Sequence, residues 1–182
     1  EQEGFDVRLV NSRELKHVPG RKTDVSDCEW IQRLHSCGLL KRSFRPSEDI
    51  CCIRSLMRDT LNLIQLRTKS VHHMQKALDQ MNVLVHRAVS DITGETGMRI
   101  IRAIATGERD PQVLASFRNR RCRKSEAEIA EHLQGNWRRE HIFSLVKALQ
   151  RFDHVNEQLL DYDQMIQLEL AEIVPEEHKD LA

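Results

Sequence analysis

The feature that most constrains the fold is a heptad pattern of apolar residues that begins at Ile50 and meets no helix-breaking residue before Gly94. With Ile50 as position a, the successive a positions are Ile50, Met57, Ile64, Val71, Leu78 and Val85. An apolar repeat sustained over six heptads is typical of a long helix that packs lengthwise against another helix. We therefore predict one helix that starts at Ser47 and ends within residues 81–90.

A second heptad pattern starts near Trp137. Its d positions are all apolar: Leu145, Phe152, Leu159, Ile166 and Ile173. Pro175 should end this helix, because proline lacks the N–H that helix continuation requires. Two long helices joined by a short helical insert are expected to pack antiparallel, as one coiled-coil-like hairpin.

Short helices are predicted between the two long ones. Their expected ranges are 96–105, 111–117 and 125–133. Ser125 with Glu128 three residues later is a capping box, and Asp110 before Pro111 is an N-cap followed by proline at the first helical position. The glycines expected to mark the breaks are Gly94, Gly97, Gly107 and Gly135.

The N-terminal part has a different pattern. Apolar residues alternate with charged ones over Phe5–Val10, which predicts a strand. A helix should start with Thr23 or Asp24 as its cap and end before Gly38. The fold class predicted is mainly α, with a remnant strand and helix of an α/β domain in residues 1–40 and a helical domain in residues 41–182.

Composition restricts the function classes. The 28 Lys and Arg residues balance the 28 Asp and Glu residues, so the chain is not a globally basic nucleic-acid binder. The five cysteines have neither disulfide-framework nor zinc-site spacing. No apolar run is long enough to span a bilayer, and no signal peptide opens the chain. We expect a cytoplasmic protein with free thiols and no membrane contact.

Charge is nevertheless concentrated in one place. Five cations occur within seven residues: Arg118, Arg120, Arg121, Arg123 and Lys124. Such a cluster can bind phosphates even in a neutral chain. The alternative is a solvated loop that binds nothing.

Two acids lie at the predicted helix start. Asp24 and Asp27 are three residues apart, so they share one helix face, where two carboxylates repel unless a cation lies between them. A Mg²⁺ ion held by carboxylates and a substrate phosphate would resolve this, with Lys22 beside the phosphate. The alternative is an acidic first turn that interacts with the helix dipole.

The stretch VRLVN…KHVPGRKTDVSDCEWIQRLHSCGLL, within residues 7–40, resembles DEDD-type insertion-sequence transposases related to Piv-type DNA invertases, the group known for bridge-RNA-guided recombination. The chain keeps the Lys22-Thr23-Asp24 run and Asp27, with Cys28 where the family usually has Ala. The resemblance continues through Arg45-Pro46, Arg67, residues 88–94 and residues 107–111.

The resemblance implies that Asp24 and Asp27 are the third and fourth acids of an RNase H-like site that holds Mg²⁺ at the scissile phosphate. The other two acids would lie upstream of Glu1, and a domain with a serine nucleophile would lie beyond Ala182. The chain is then a segment lacking both ends of a transposase, and it should be inactive alone.

In that family the helical hairpin resembles a connecting region that forms dimers and contacts guide RNA and DNA backbone. The residues expected to bind nucleic acid are Lys22, Arg67, Lys69, Lys76, Arg118, Arg120, Arg121, Arg123 and Lys124. Arg67 occupies a d position, so an interhelical ion pair is an equal alternative for it. The competing interpretation of the whole chain is a non-catalytic coiled-coil scaffold or dimerisation module, in which Asp24 and Asp27 only cap a helix.

Overall fold

The computed structural model describes residues 9–11 and 24–173, with the backbone alone for residues 24–27. All regular elements in these residues are helices, as the mainly α prediction requires. In chain order they are α1 Asp24–Ser36, α2 Glu48–Gln80, α3 Val85–Ala88, α4 Glu95–Thr106, α5 Pro111–Ser116, α6 Glu126–Glu131 and α7 Arg139–Ile173. None of these helices is apolar enough over a sufficient length to cross a membrane. The chain divides into two compact units, residues 1–51 and 52–182.

The first unit contains α1, which begins at Asp24 as predicted. Gly38 ends it in the left-handed conformation at φ 67°. The Leu39 N–H donates to the Leu34 carbonyl (2.9 Å) and the Gly38 N–H to the His35 carbonyl (3.0 Å), the two bonds of a Schellman motif. The strand predicted at residues 5–10 lies mostly outside the described residues, and the two described ones, Leu9 and Val10, are not in a strand. The RNase H-like domain stays a prediction.

Both predicted long helices are present, as α2 and α7. α7 lies within the second unit, and the division between the two units falls in the first turn of α2. α2 ends at Gln80, just before the expected range, because Asn82 adopts the left-handed conformation at φ 61°. Asparagine is the residue other than glycine that most readily does so. The Val83 N–H then donates to the Leu78 carbonyl (2.9 Å), which closes the last turn.

The core of the second unit forms where the short helices pack on one end of each long helix. Ile100, Ile101 and Ile104 of α4 are fully buried in the same cluster as Leu78 of α2 and Leu145 of α7. Burial in this cluster stabilises the ends of the two long helices, since isolated helices gain little from propensity alone.

Polar contacts position the same elements. Arg102 of α4 makes a bidentate ion pair with Asp153 of α7, with N···O distances of 2.8 and 2.5 Å. This pairing raises the pKa of Arg102 above its ordinary value. The Leu84 N–H donates to the His132 carbonyl (2.8 Å), so the chain after α2 is joined to the chain after α6.

The a positions of α2 are buried only at its C-terminal end, although Ile53, a d position near its start, is 7% exposed. Leu78 is 1% exposed, whereas Met57 is 53% and Ile64 is 37% exposed. The short helices provide apolar partners for the last turns of α2 and leave the earlier turns exposed. The full-length coiled-coil hairpin therefore stays a prediction, although its two helices are confirmed.

The three predicted short helices are confirmed, with α4, α5 and α6 within two residues of the expected bounds. The Asp110 side chain caps α5 and the Ser125–Glu128 capping box starts α6, as predicted. Gly97 was expected to break a helix, and that prediction is wrong, because Gly97 lies inside α4. The four-residue helix α3 was not predicted.

Candidate metal-binding helix and nucleic-acid interface

Asp24 and Asp27 both lie in the first turn of α1, the helix that the sequence predicted there. Residues three apart in a helix lie on one face, so the backbone puts both positions on the same side of the helix start. Two carboxylates are hard oxygen donors, which suit Mg²⁺. The donor set thus fits a divalent ion. Lys22, the expected phosphate partner, lies outside the described residues.

Further metal ligands are not found in the described part of the chain, where no three His, Cys, Asp or Glu side chains cluster. The thiols of Cys28, Cys37, Cys51 and Cys122 are free, as predicted.

The segment Arg118–Lys124, hereafter the basic loop, connects α5 to α6 and is anchored on α4. The Asn119 N–H donates to the buried hydroxyl of Thr96 (3.0 Å), and the Asn119 side-chain amide donates to Glu95. The Asn119 carbonyl oxygen of the side chain accepts the Arg121 N–H (3.0 Å). These hydrogen bonds hold the loop backbone in one conformation, so the positions from which its exposed side chains project are fixed.

Two of the five predicted cations stabilise the loop itself. The Arg118 guanidinium donates to the Lys124 carbonyl (2.7 Å) and to the Cys122 carbonyl (3.1 Å). The Lys124 ammonium donates to the Arg87 carbonyl in the last turn of α3. Cations near a helix C-terminus interact favourably with its carbonyls. Arg118 and Lys124 are thus half-buried structural residues, although their charges still contribute to the local potential.

The other three cations are available to a ligand. Arg120, Arg121 and Arg123 are exposed, and none of their guanidinium groups has a hydrogen-bond or ion-pair partner among the described residues. Three guanidinium groups without acidic partners, carried by an anchored loop, make an anion-binding surface.

Glu128, one of the acids nearest to this loop, is hydrogen-bonded to Ser125. The Ser125 backbone N–H and then its hydroxyl donate to Glu128 Oε2 (2.7 Å each), and these bonds lower the pKa of Glu128. Because the folded pKa is lowered, this cap contributes stability above the ordinary pKa of glutamate. The contribution is lost as the pH falls through the lowered value.

Sequence reasoning missed two residues of this surface. Glu95 and Arg99 line the same shallow concavity as Arg120 and Arg121, and they form an ion pair with each other at 2.6 Å. They lie more than 20 residues upstream, so only the packing of α4 beside the basic loop brings them together. The i, i+4 spacing of Glu95 and Arg99 was the one available signal, and it indicates only a helix surface pair.

The cations predicted on α2 are less concentrated. Arg67 is half-buried and makes no ion pair with a described residue, and both interpretations considered for it stay predictions. Lys69 and Lys76 are exposed. Lys76 is seven positions after Lys69, so the two lie about two turns apart along α2.

Comparison with known proteins gives one match. A family model for transposases, that of the DEDD transposases of the IS110 type, matches residues 1–83. The match supports an IS110-type transposase family. It includes Asp24 and Asp27, and it ends just after α2, so the basic loop lies outside it. No curated protein and no solved structure matches the chain. DEDD transposases act on DNA and generally use divalent metal ions, which agrees with the expected enzyme class and with DNA as a partner.

Proposed function

We propose that the chain is a segment of a Mg²⁺-dependent DNA transposase, with two metal-binding acids in its first unit and a nucleic-acid-binding and dimerisation arm in its second. The observation that carries this proposal is the position of Asp24 and Asp27 in the first turn of α1, within the residues that match the transposase family. A bound Mg²⁺ would act as a Lewis acid on the scissile phosphate.

The part of this chain in that chemistry is to hold the ion. Asp24 and Asp27 would each contribute carboxylate oxygens, and the N-terminus of α1 would add a favourable potential for the phosphate. Two acids of four do not complete a metal site, so we expect the segment alone to be inactive. The two remaining acids and a serine nucleophile would come from elsewhere in the longer protein.

The arm would bind nucleic-acid backbone through Arg120, Arg121 and Arg123. Their surplus charge has no acidic partner in the described residues, and release of counterions from phosphates is the largest favourable term open to such groups. The basic loop contains no aromatic side chain, so it offers no stacking surface for bases. This favours recognition of DNA or guide-RNA backbone without sequence preference.

Changing Arg120, Arg121 and Arg123 together to Gln should weaken binding of duplex DNA by the 182-residue chain. Each lost phosphate contact lowers the slope of log affinity against log salt by about 0.9, so the slope should fall by up to about three. Fluorescence anisotropy at several salt concentrations measures both quantities.

The matched control removes the same charge elsewhere, by changing Lys41, Arg54 and Arg58, all exposed, to Gln. The control should retain the wild-type slope to within about one. Equal slopes for wild type and for the Arg120, Arg121 and Arg123 variant would show that the basic loop is not the contact surface.

Self-association is proposed for the exposed half of α2. Met57, Leu61 and Ile64 are 53%, 59% and 37% exposed and lie at i, i+4 and i+7, which places them on one helix face. A stripe of apolar residues that stays exposed in the described part of the chain is typical of a helix that pairs with another copy. The occupant proposed is a second copy of this chain, as the resemblance implies.

A triple variant with Met57, Leu61 and Ile64 changed to Gln should be monomeric at concentrations where the wild type forms dimers or higher oligomers. Gln keeps the helix propensity and removes the apolar area. Sedimentation velocity gives the masses, and the control changes Leu39 and Val113, exposed at 69% and 41% away from this stripe, to Gln. A wild type that stays monomeric at high micromolar concentration would refute the proposal.

The alternative function is a non-catalytic coiled-coil scaffold. The position of Asp24 and Asp27 in the first turn of α1 also fits this alternative, since acids occur there for purely electrostatic reasons. It predicts self-association without any role for Asp24 and Asp27 in DNA cleavage, so the two functions give opposite results in an activity assay.

A further inference from the structure

A groove between the end of α2 and the first turns of α7 forms a second cationic surface, apart from the basic loop. The residues that define it, hereafter the cationic groove, are His73, Lys76, Glu140, Phe143, Lys147 and Arg151. Most of it lies beyond the residues matched by the transposase family. Its charge and its exposed aromatic residue are not used by the function proposed so far, except for Lys76.

The charges of the cationic groove are nearly all positive. Its one acid, Glu140, has Arg138 at 3.9 Å as an ion-pair partner. Arg151 Nη2 lies 3.0 Å from His73 Nδ1, and Lys147 donates to Gln150 (3.0 Å), so neither cation is bound to a carboxylate. Lys76 has no partner among the described residues. Three cations thus line one groove without a carboxylate bound to any of them, which favours an anionic ligand.

An exposed aromatic ring distinguishes this groove from the basic loop. Phe143 is 64% exposed, and the Lys147 ammonium lies 5.6 Å from its ring centroid. A ring this exposed contributes little to the hydrophobic core, and its cation–π contact with Lys147 is a weak surface interaction. Aromatic rings beside cations along a groove are the arrangement by which proteins bind unpaired nucleotides, with bases stacked on the ring and phosphates on the cations.

We propose that the cationic groove binds single-stranded nucleic acid, with an unpaired base stacked on Phe143 and the flanking phosphates held by Lys76, Lys147 and Arg151. Duplexes fit less well, because their bases are already stacked and cannot reach the ring. This inference rests on the proposed function only in taking nucleic acid as the ligand class, and it uses a different surface. Single-stranded RNA and single-stranded DNA share the required chemistry.

The test is the affinity of the 182-residue chain for a labelled 12-nucleotide oligouridylate, the matching oligothymidylate and a 12-base-pair duplex. Phe143→Leu keeps an exposed apolar side chain and removes the stacking surface. It should weaken single-strand binding about tenfold, since stacking on an aromatic side chain contributes on that scale per base. Duplex affinity should change by less than about twofold. The RNA and DNA oligonucleotides show which sugar the groove prefers.

Two further variants serve as a control for the ring and as a test of the cations. Phe44→Leu, at a ring that is 85% exposed in the first unit, is the matched control and should not change single-strand binding. The double variant Lys76→Gln/Lys147→Gln should lower the single-strand salt slope by about 1.4, at about 0.7 per contact.

Unchanged single-strand affinity in a folded Phe143→Leu protein would overturn the groove proposal and leave the duplex result for the basic loop intact. Conversely, loss of duplex binding in the Arg120, Arg121 and Arg123 variant with normal single-strand binding would support two separate surfaces. Equally tight binding of a polyglutamate peptide, insensitive to Phe143→Leu, would also overturn the proposal, since it would show a site for acidic protein segments.

Discussion

Replacing Asp24 or Asp27 with Asn in the full-length protein is expected to lower the rate of the proposed Mg²⁺-dependent DNA cleavage by about a thousandfold or more. Each change would remove a proposed carboxylate ligand, and metal-ion stabilisation of charge in the transition state contributes several kcal/mol. About 1.4 kcal/mol corresponds to a tenfold change in rate. The measurement is the single-turnover cleavage rate at saturating DNA.

The first turn of α2 offers a matched control. Glu48 and Asp49 are also acids at the start of a helix, so Glu48→Gln and Asp49→Asn test for loss of a helix-dipole interaction alone. These variants should cleave DNA at nearly the wild-type rate. All four proteins should bind DNA and unfold at similar temperatures, because an acid in the first turn contributes only about 0.3–1 kcal/mol to stability. Wild-type cleavage by Asp24→Asn or Asp27→Asn would exclude the metal role.

Gly97→Ala is expected to be the most destabilising small substitution in the second unit. A Cβ atom on Gly97 would lie 2.4 Å from the backbone oxygen of Ile92 and 2.7 Å from its carbonyl carbon. The obstacle is backbone, which cannot rotate away as a side chain could, so α4 would have to move from the core. Overpacking typically costs about 1–3 kcal/mol and occasionally more, and we expect about 3 kcal/mol, or roughly 10 °C in Tm.

Gly94→Ala serves as the control for that experiment. The added Cβ would lie 3.3 Å from the Asp91 carbonyl oxygen, a tight contact that a small shift relieves. Gly94 also has an extended backbone conformation that alanine can adopt. Its loss of stability should therefore be no more than about 1 kcal/mol. Chemical denaturation gives both values, and a Gly97→Ala protein as stable as the Gly94→Ala protein would contradict the packing described for α4.

The long helices were predictable because a sustained heptad repeat of apolar residues indicates one continuous helix. The short helices were predictable from their caps, since the side chains of Asp110 and Ser125 accept backbone N–H groups in the structure as they do in isolated helices. Gly97 shows the limit of local reasoning. A glycine in a sequence indicates a break, whereas here it permits α4 to approach a preceding backbone segment, which only tertiary packing determines.

The candidate site was predictable to a similar degree. The number of cations in the basic loop can be read from the sequence. The hydrogen bonds from Arg118 and Lys124 to backbone carbonyls cannot, because they depend on how the chain folds. The cationic groove was missed because Lys76 and Phe143 are far apart in the chain and meet only through the packing of α2 and α7. Heptad positions also did not indicate where the apolar stripe of α2 would be buried, because the insert covers only its last turns.

DNA cleavage by the full-length protein in Mg²⁺, in EDTA and after Mg²⁺ is added back tests the proposed metal-dependent function directly. The proposed function predicts strand cleavage only when Mg²⁺ is present, full recovery on adding Mg²⁺ back, and no cleavage by the 182-residue chain alone, although that chain binds DNA. Cleavage that is equal in EDTA, or a full-length protein that binds DNA and cuts none in Mg²⁺, would contradict it.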